Sequence, residues 1–270
     1  MHHFSVIGNP IAHSKSPILF NSIFNQLKID AHYKSDLLIN NDDVREYITS
    51  HNTKTIKGIN ITMPFKEYCF SLVDDKDKIA EITKSINCIH FKNNKTIGYN
   101  NDYYGFIKLI ESNQIKITDT NNIIIGSGGS ARTIIFALIE KKAKSIHILS
   151  RNLKTATNII EEFKSYAKNI NLQIWNPSNT LQNCNLINCS PIGLSIQINN
   201  TILSQLTAKR YESIIDINYN IQKDYFNFNS NQKVDGKSMF IYQALKSLDI
   251  WFESNISNKL DYKYLEQLLC

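Results

Sequence analysis

Asn122-Ile123-Ile124-Ile125 runs directly into Gly126-Ser127-Gly128-Gly129-Ser130-Ala131-Arg132, and a helix-forming stretch follows from Thr133 to about Lys142. A short apolar run before a glycine-rich turn reads as a buried strand, so the local order is strand, turn, helix. Gly126-x-Gly128-x-x-Ala131 has the spacing of a dinucleotide-binding turn. Gly126 allows the tight bend, Gly128 has no Cβ and lets backbone approach a pyrophosphate, and Ala131 keeps helix and strand close. Unpaired N–H groups at the helix start, together with its dipole, attract the anion. The chain holds only nine glycines, so three of them in this one turn are not an effect of composition. The competing reading is a tight turn that binds nothing.

The next strand, Ser145 to Leu149, ends in Ser150-Arg151-Asn152, with Lys154 and Thr155 close behind. An NAD site places a carboxylate about 20 residues after the glycine turn, where it accepts from the ribose hydroxyl. No Asp or Glu stands there. Arg151 and Lys154 suit a ribose 2′-phosphate through charge-assisted hydrogen bonds, which favours NADP.

The rest of the chain alternates strand and helix. Strands are expected at Phe4–Ile7, 31–36, 58–61, 87–91, 172–175, 186–187 and 214–216, with helices from Ser16-Pro17 to about Leu27, from 42 to 49, and from Leu153 to about Ala167. Ser16 is expected to cap the first helix, with Ile18, Phe20, Ile23, Phe24 and Leu27 on its apolar face. Helices from Met239 to about Glu253 and from Tyr262 to Leu269 close the chain. Alternating elements of this kind give an α/β fold with a mostly parallel sheet. Two domains suit 270 residues.

With 42% hydrophobic and 20% charged residues, the chain has the balance of a soluble globular protein. Apolar runs are too short to span a membrane, and the first residues lack a secretion signal, so a cytoplasmic location is expected. The net charge is +6, but its lysines are scattered, which argues against a nucleic-acid partner and is compatible with an acidic small molecule. Five cysteines (Cys69, Cys88, Cys184, Cys189, Cys270) fit no zinc spacing and are expected to be reduced, with Cys270 exposed at the chain end. The seven histidines show no ligand-like spacing either, so no metal site is expected.

Four polar segments remain, each at the end of an expected strand, where open α/β sheets bind ligands. They are Gly8-Asn-Pro-Ile-Ala-His13-Ser14-Lys15-Ser16-Pro17, Asn60-Ile-Thr62-Met-Pro64-Phe65-Lys66-Glu67, Ile86-Asn87-Cys88, and Gly98-Tyr-Asn-Asn101-Asp102. Taken together they resemble the shikimate dehydrogenase family, with its G-N-P-I-x-H-S-K-S-P opening, N-V-T-x-P-F-K-E motif and G-x-N-T-D motif. Gly126–Arg132 resembles the family's G-A-G-G-A/S-x-R loop. Asn188-Cys-Ser-Pro-Ile-Gly193, Asp216-Ile-Asn-Tyr219 and Gly236-Lys-Ser-Met239-x-x-x-Gln243-Ala244 resemble its later motifs, in family order.

The resemblance implies a substrate domain over residues 1–101, joined by returning C-terminal helices (237–270), and a doubly wound Rossmann-type NADP domain over 102–236. It implies that Ser14 and Ser16 bind the substrate carboxylate, and that Thr62, Asn87, Tyr219 and Gln243 hold the carboxylate or hydroxyls. Lys66 and Asp102 would flank the hydroxyl that is oxidised. Gly126, Ser127, Gly128, Gly129 and Ser130, with Ser150, Arg151, Asn152, Lys154 and Thr155, would hold NADP, and Ile217 and Gly236 would border the nicotinamide. The implied reaction is reversible oxidoreduction of shikimate and 3-dehydroshikimate, in a monomer or homodimer. A lysine acts as base only when neutral, and an adjacent carboxylate favours the ammonium, so Lys66 and Asp102 are expected to work as one proton-exchanging unit.

Departures from the family pattern are Asn101 and Cys88 for Thr, Ser150-Arg151-Asn152 for Asn-Arg-Thr, Ser190 for Thr, and Asn220 after Tyr219 for Pro. Two rival readings remain open. One is a quinate/shikimate dehydrogenase using NAD, disfavoured by Lys15 and the absent carboxylate. The other is a non-catalytic cofactor-binding paralogue, disfavoured by retention of both Lys66 and Asp102.

Overall fold

The structure is a computed structural model that describes residues 1–50, 56–178, 181–193, 204, 206, 210–219 and 226–269. Asn220 and Cys270 lie outside the described residues. The chain divides into two compact units, Met1–Gly105 with Phe240–Cys270, and Phe106–Met239.

The first unit contains β1 (His2–Gly8), α1 (Ser16–Gln26), β2 (Ala31–Leu37), α2 (Asn41–Ser50), β3 (Ile56–Ile61), α3 (Lys66–Phe70), β4 (Asp75–Lys76), α4 (Lys78–Thr83), β5 (Cys88–Lys92) and β6 (Lys95–Tyr99). Its sheet has the order β2-β1-β3-β5-β6-β4. β1 is parallel to β2 and β3, β4 is parallel to β6, and β5 runs antiparallel to both its neighbours. The antiparallel step is the hairpin turning through Asn93 and Asn94, both at positive φ, where Asn is among the residues that tolerate it best.

The division between units falls inside α5 (Asn101–Ser112) and inside α8 (Lys237–Trp251), where the sequence places it at the start of these stretches; the chain crosses both times as helix, without a glycine- or proline-rich linker. α8 returns to the first unit and drives Trp251 into its core. The indole lies against Phe4 and Phe20, at centroid separations of 4.8 and 5.3 Å, and its N–H donates to the Ile89 carbonyl at 3.0 Å. Space for this ring exists because residue 58 is glycine: a Cβ there would come within 1.9 Å of the indole nitrogen. After a 3-10 turn (Ile256–Lys259), α9 (Tyr262–Gln267) closes the chain.

The second unit contains β7 (Asn121–Ile125), α6 (Gly129–Glu140), β8 (Ser145–Leu149), α7 (Leu153–Phe163), β9 (Asn171–Ile174), β10 (Cys184–Asn188), β11 (Tyr211–Asp216) and β12 (Ser230–Val234). Its sheet runs β12-β11-β10-β7-β8-β9 and every pairing is parallel. That is the doubly wound order, with its switch point between β7 and β10. β7 is buried along its whole length, and α6 is buried continuously from Ala131 to Ile139, as expected for central elements covered on both faces.

Two local expectations are corrected. Ser16 is the first helical residue of α1, and Lys15 occupies the cap position without a side-chain bond. Ser14 does the capping instead, its Oγ accepting the Ser16 N–H at 3.3 Å. Ile18 is 51% exposed, because the buried face of α1 is carried by Leu19, Phe20, Ile23 and Phe24. Gly58→Ala is expected to destabilise the fold by about 2 kcal/mol through overpacking against Trp251. A thermal melt followed by circular dichroism checks this, and an unchanged midpoint would contradict the account of Trp251 as the anchor of α8.

Candidate active site

Backbone hydrogen bonds draw the four polar segments of the first unit together. Thr62 N donates to Ile7 O at 3.0 Å, and Asn9 N to Met63 O at 3.0 Å, joining the ends of β1 and β3. A Cβ on Gly8 would meet Thr62 Cγ2 at 2.3 Å, so this approach requires glycine. Ile61 N donates to Asn87 O, Ile86 N to Lys66 O, and Asn87 N to Tyr99 O, at 2.9 to 3.0 Å. Residues widely separated in sequence are thereby fixed around one point.

At that point Lys66 Nζ lies 2.6 Å from Asp102 Oδ2, with side-chain exposures of 15% and 8%. Lys66 begins α3, and Asp102 sits in the first turn of α5, where the positive end of the helix dipole favours a carboxylate. The second oxygen, Asp102 Oδ1, accepts from Asn87 Nδ2 at 2.8 Å. Asn87 is held in turn: its Oδ1 accepts the Asn101 N–H at 2.8 Å, and its Nδ2 also donates to Gln243 Oε1 at 3.2 Å. Gln243 Nε2 donates to Phe240 O. Lys66, Asp102, Asn87 and Gln243 thus form one connected unit. Ser14 is half-buried and Ser16 buried on the adjoining segment.

Burial shapes the surrounding titrations. The Cys88 thiol, next to Asn87, is pushed up to about 12 by desolvation, and Cys69 likewise. Tyr99 is raised by its burial. Asp77 caps α4 by accepting the Ala80 N–H, and its own burial raises it above the ordinary carboxylate range.

The nucleotide-type features lie in the second unit. Gly126 has φ +115°, and a Cβ on it would stand 3.2 Å from the Cys189 backbone, at the switch point between β7 and β10. Gly128 caps α6 with no side chain in the way. A glycine turn with this backbone conformation, leading into a helix start at the switch point, fits a dinucleotide pyrophosphate. Ser127 Oγ and Ser150 Oγ hydrogen-bond at 2.8 Å, tying the glycine turn to the end of β8. Asn152 is the side-chain cap of α7, its Oδ1 accepting the Thr155 N–H at 3.1 Å, while Arg151 and Lys154 are exposed. Arg132 is a structural residue, buried and paired with Glu162. Gly236 is demanded by Ile217, whose carbonyl oxygen would lie 1.9 Å from a Cβ. Tyr219 is half-buried just after β11.

The two portions of the chain match, over residues 6–89, a family model described as the shikimate dehydrogenase substrate binding domain and, over residues 108–235, one described as shikimate/quinate 5-dehydrogenase. The shikimate dehydrogenase (NADP(+)) of Clostridium beijerinckii is 32% identical, over 96% of this chain and 95% of that one. This chain belongs to the shikimate dehydrogenase family. Among solved structures, shikimate dehydrogenase from Aquifex aeolicus has the same fold, with a TM-score of 0.82, 24% identity, and 100% and 97% of the two chains covered. So does the Thermus thermophilus enzyme in complex with NADP(H) and shikimate, with a TM-score of 0.79, 20% identity, and 100% and 98% covered.

Set beside the family pattern, each unit holds polar residues to which the motifs gave no role. Asn60 and Ser247 bond to each other beneath Asn101, and Asn188, Ser190, Asp216 and Asn218 knot together the loops after β10 and β11. Asn60, Asn188 and Asp216 lie inside recognised motifs. Ser247 lies outside them, and its one available signal is position: one turn after Gln243 on the same helix face. Among the described residues no group of three or more His, Cys, Asp or Glu could hold a metal ion, and no helix is long and apolar enough to cross a membrane.

Iodoacetamide at pH 8 is expected to leave Cys69 and Cys88 unlabelled in the native protein and to label both after denaturation, read by peptide mass spectrometry. Native labelling of Cys88 would contradict the closed environment behind Asn87.

Proposed function

We propose that the chain catalyses the reversible NADP-dependent oxidation of shikimate to 3-dehydroshikimate, with Lys66 and Asp102 handling the proton of the reacting hydroxyl. The observation that carries this reading is the 2.6 Å contact between Lys66 Nζ and Asp102 Oδ2, inside a unit that includes Asn87 and Gln243. Membership of the family supports the substrate and the cofactor.

Oxidation of a secondary alcohol removes a hydride from carbon and a proton from oxygen. NADP⁺, when bound, supplies the hydride acceptor. The protein's own part is orientation and proton transfer. Asp102 accepts a hydrogen bond from the alcohol and fixes its direction. Lys66 takes the proton when its amine is neutral and, in the reverse direction, donates one as ammonium to the ketone oxygen. Asn87 keeps Asp102 in place. Ser14 and Ser16 offer hydroxyl donors to the substrate carboxylate, and Thr62, Asn87, Tyr219 and Gln243 bind the remaining polar groups.

In this reading the first unit binds substrate and the second binds NADP. Gly126, Ser127, Gly128, Gly129 and Ser130 surround the pyrophosphate, and Arg151 and Lys154 pair with the 2′-phosphate. Ser150, Asn152 and Thr155 hold the helix start beneath it, and Ile217 and Gly236 border the nicotinamide. The 2′-phosphate pairing is what favours NADP over NAD.

The test is an absorbance assay for reduced nicotinamide, with shikimate or quinate and NADP⁺ or NAD⁺ in all four combinations. Shikimate with NADP⁺ is expected to give the highest rate, and no signal from that pair would overturn the proposal. Lys66→Ala is expected to lower turnover by about 10²-fold or more while leaving the shikimate KM nearly unchanged. A large rise in KM with intact turnover would instead make Lys66 a binding residue.

A further inference from the structure

We propose that Ser247 is a positioning residue for the Lys66–Asp102 pair, acting through the Asn101 amide; this rests on the dehydrogenase reading above. Ser247 is fully buried on α8. Its Oγ accepts from Asn60 Nδ2 at 3.0 Å and from Asn101 Nδ2 at 2.9 Å, and donates to the Gln243 carbonyl at 3.0 Å. A hydroxyl has one donor and two lone pairs, so all its hydrogen-bonding capacity is used.

Each partner leads to the reacting pair. Asn101 donates its backbone N–H to Asn87 Oδ1 and directly precedes Asp102 in the first turn of α5. Asn60 Nδ2 also donates to the Asn87 carbonyl at 3.1 Å, and Asn60 Oδ1 accepts from Tyr33 at 2.8 Å. Gln243 receives the Asn87 Nδ2 bond. Three routes therefore run from one hydroxyl to Asn87, whose amide must keep its N–H side toward Asp102 Oδ1. A reversed amide would set an oxygen against a carboxylate.

Asn101 stands where the family has Thr, and it touches Ser247 by its amide. A threonine at 101 has no side-chain N–H for Ser247 to accept. The Ser247 hydroxyl thus serves as the acceptor for the Asn101 amide.

The test compares wild type, Ser247→Ala, Asn101→Thr and the double variant, using shikimate with NADP⁺, and adds NADPH fluorescence titration and a thermal melt for each. Ser247→Ala is expected to lower kcat about tenfold, through loosened positioning, with NADPH affinity unchanged. In the Asn101→Thr background the same change is expected to cost less than about twofold, because the amide it restrains is gone. Equal losses in both backgrounds, or a lowered melting point with unchanged kcat, would overturn the proposal and leave Ser247 a structural residue. Should Ser247→Ala not fold, Ser247→Cys keeps the size with a weak acceptor and carries the same comparison. A wild type inactive on shikimate would instead remove the dehydrogenase reading, so the two failures are distinguishable.

Discussion

A lysine and an aspartate in contact at 2.6 Å, both largely withdrawn from water, are the constraint around which the first unit is organised. Desolvating two charges is costly, and their attraction repays it only when geometry is good and remaining valences are filled. On the carboxylate side they are filled: Asn87 bonds the other oxygen, and the α5 dipole supports the charge. A pair of this kind adds little to stability compared with an apolar replacement, so its presence points to chemistry. Its position depends on β1, β3 and β6 ending where β5 begins, which the backbone bonds among Ile7, Thr62, Ile86, Asn87 and Tyr99 secure.

In the proposed reading the second unit meets a different requirement, the close approach of backbone to a large anion. Parallel strands ordered about a switch point create a crevice, and glycine at residue 126 lets the turn after β7 bend at positive φ against the Cys189 backbone. Gly236 serves a similar need by letting the chain pass against the Ile217 carbonyl. In the proposed reading, selectivity for the 2′-phosphate falls to Arg151, just before α7, and Lys154, in its first turn, both of them exposed.

Much of this was legible in the sequence because it is local. The glycine turn and the apolar run before it each express a backbone preference within a few residues. Lys66 and Asp102 were legible as a pair only through the family resemblance, since nothing in the spacing between them encodes contact. Ser14 replaced Ser16 as the cap because the helix starts at Ser16 itself, whose N–H the hydroxyl two residues upstream accepts. β12, with its alternating half-exposed pattern and no apolar run, gave no strand signal; its partner β11 decides it. Ser247 was invisible for the same reason, its role resting on Asn60 and Asn101, far away along the chain.

The central claim is that Lys66 and Asp102 act as a single unit. The direct measurement is the turnover of shikimate by Lys66→Ala, Asp102→Asn and the double variant. Residues acting as one unit give strongly non-additive losses, so the account predicts that the double variant is about as slow as the worse single one. Losses that multiply would contradict it and make the two side chains independent contributors.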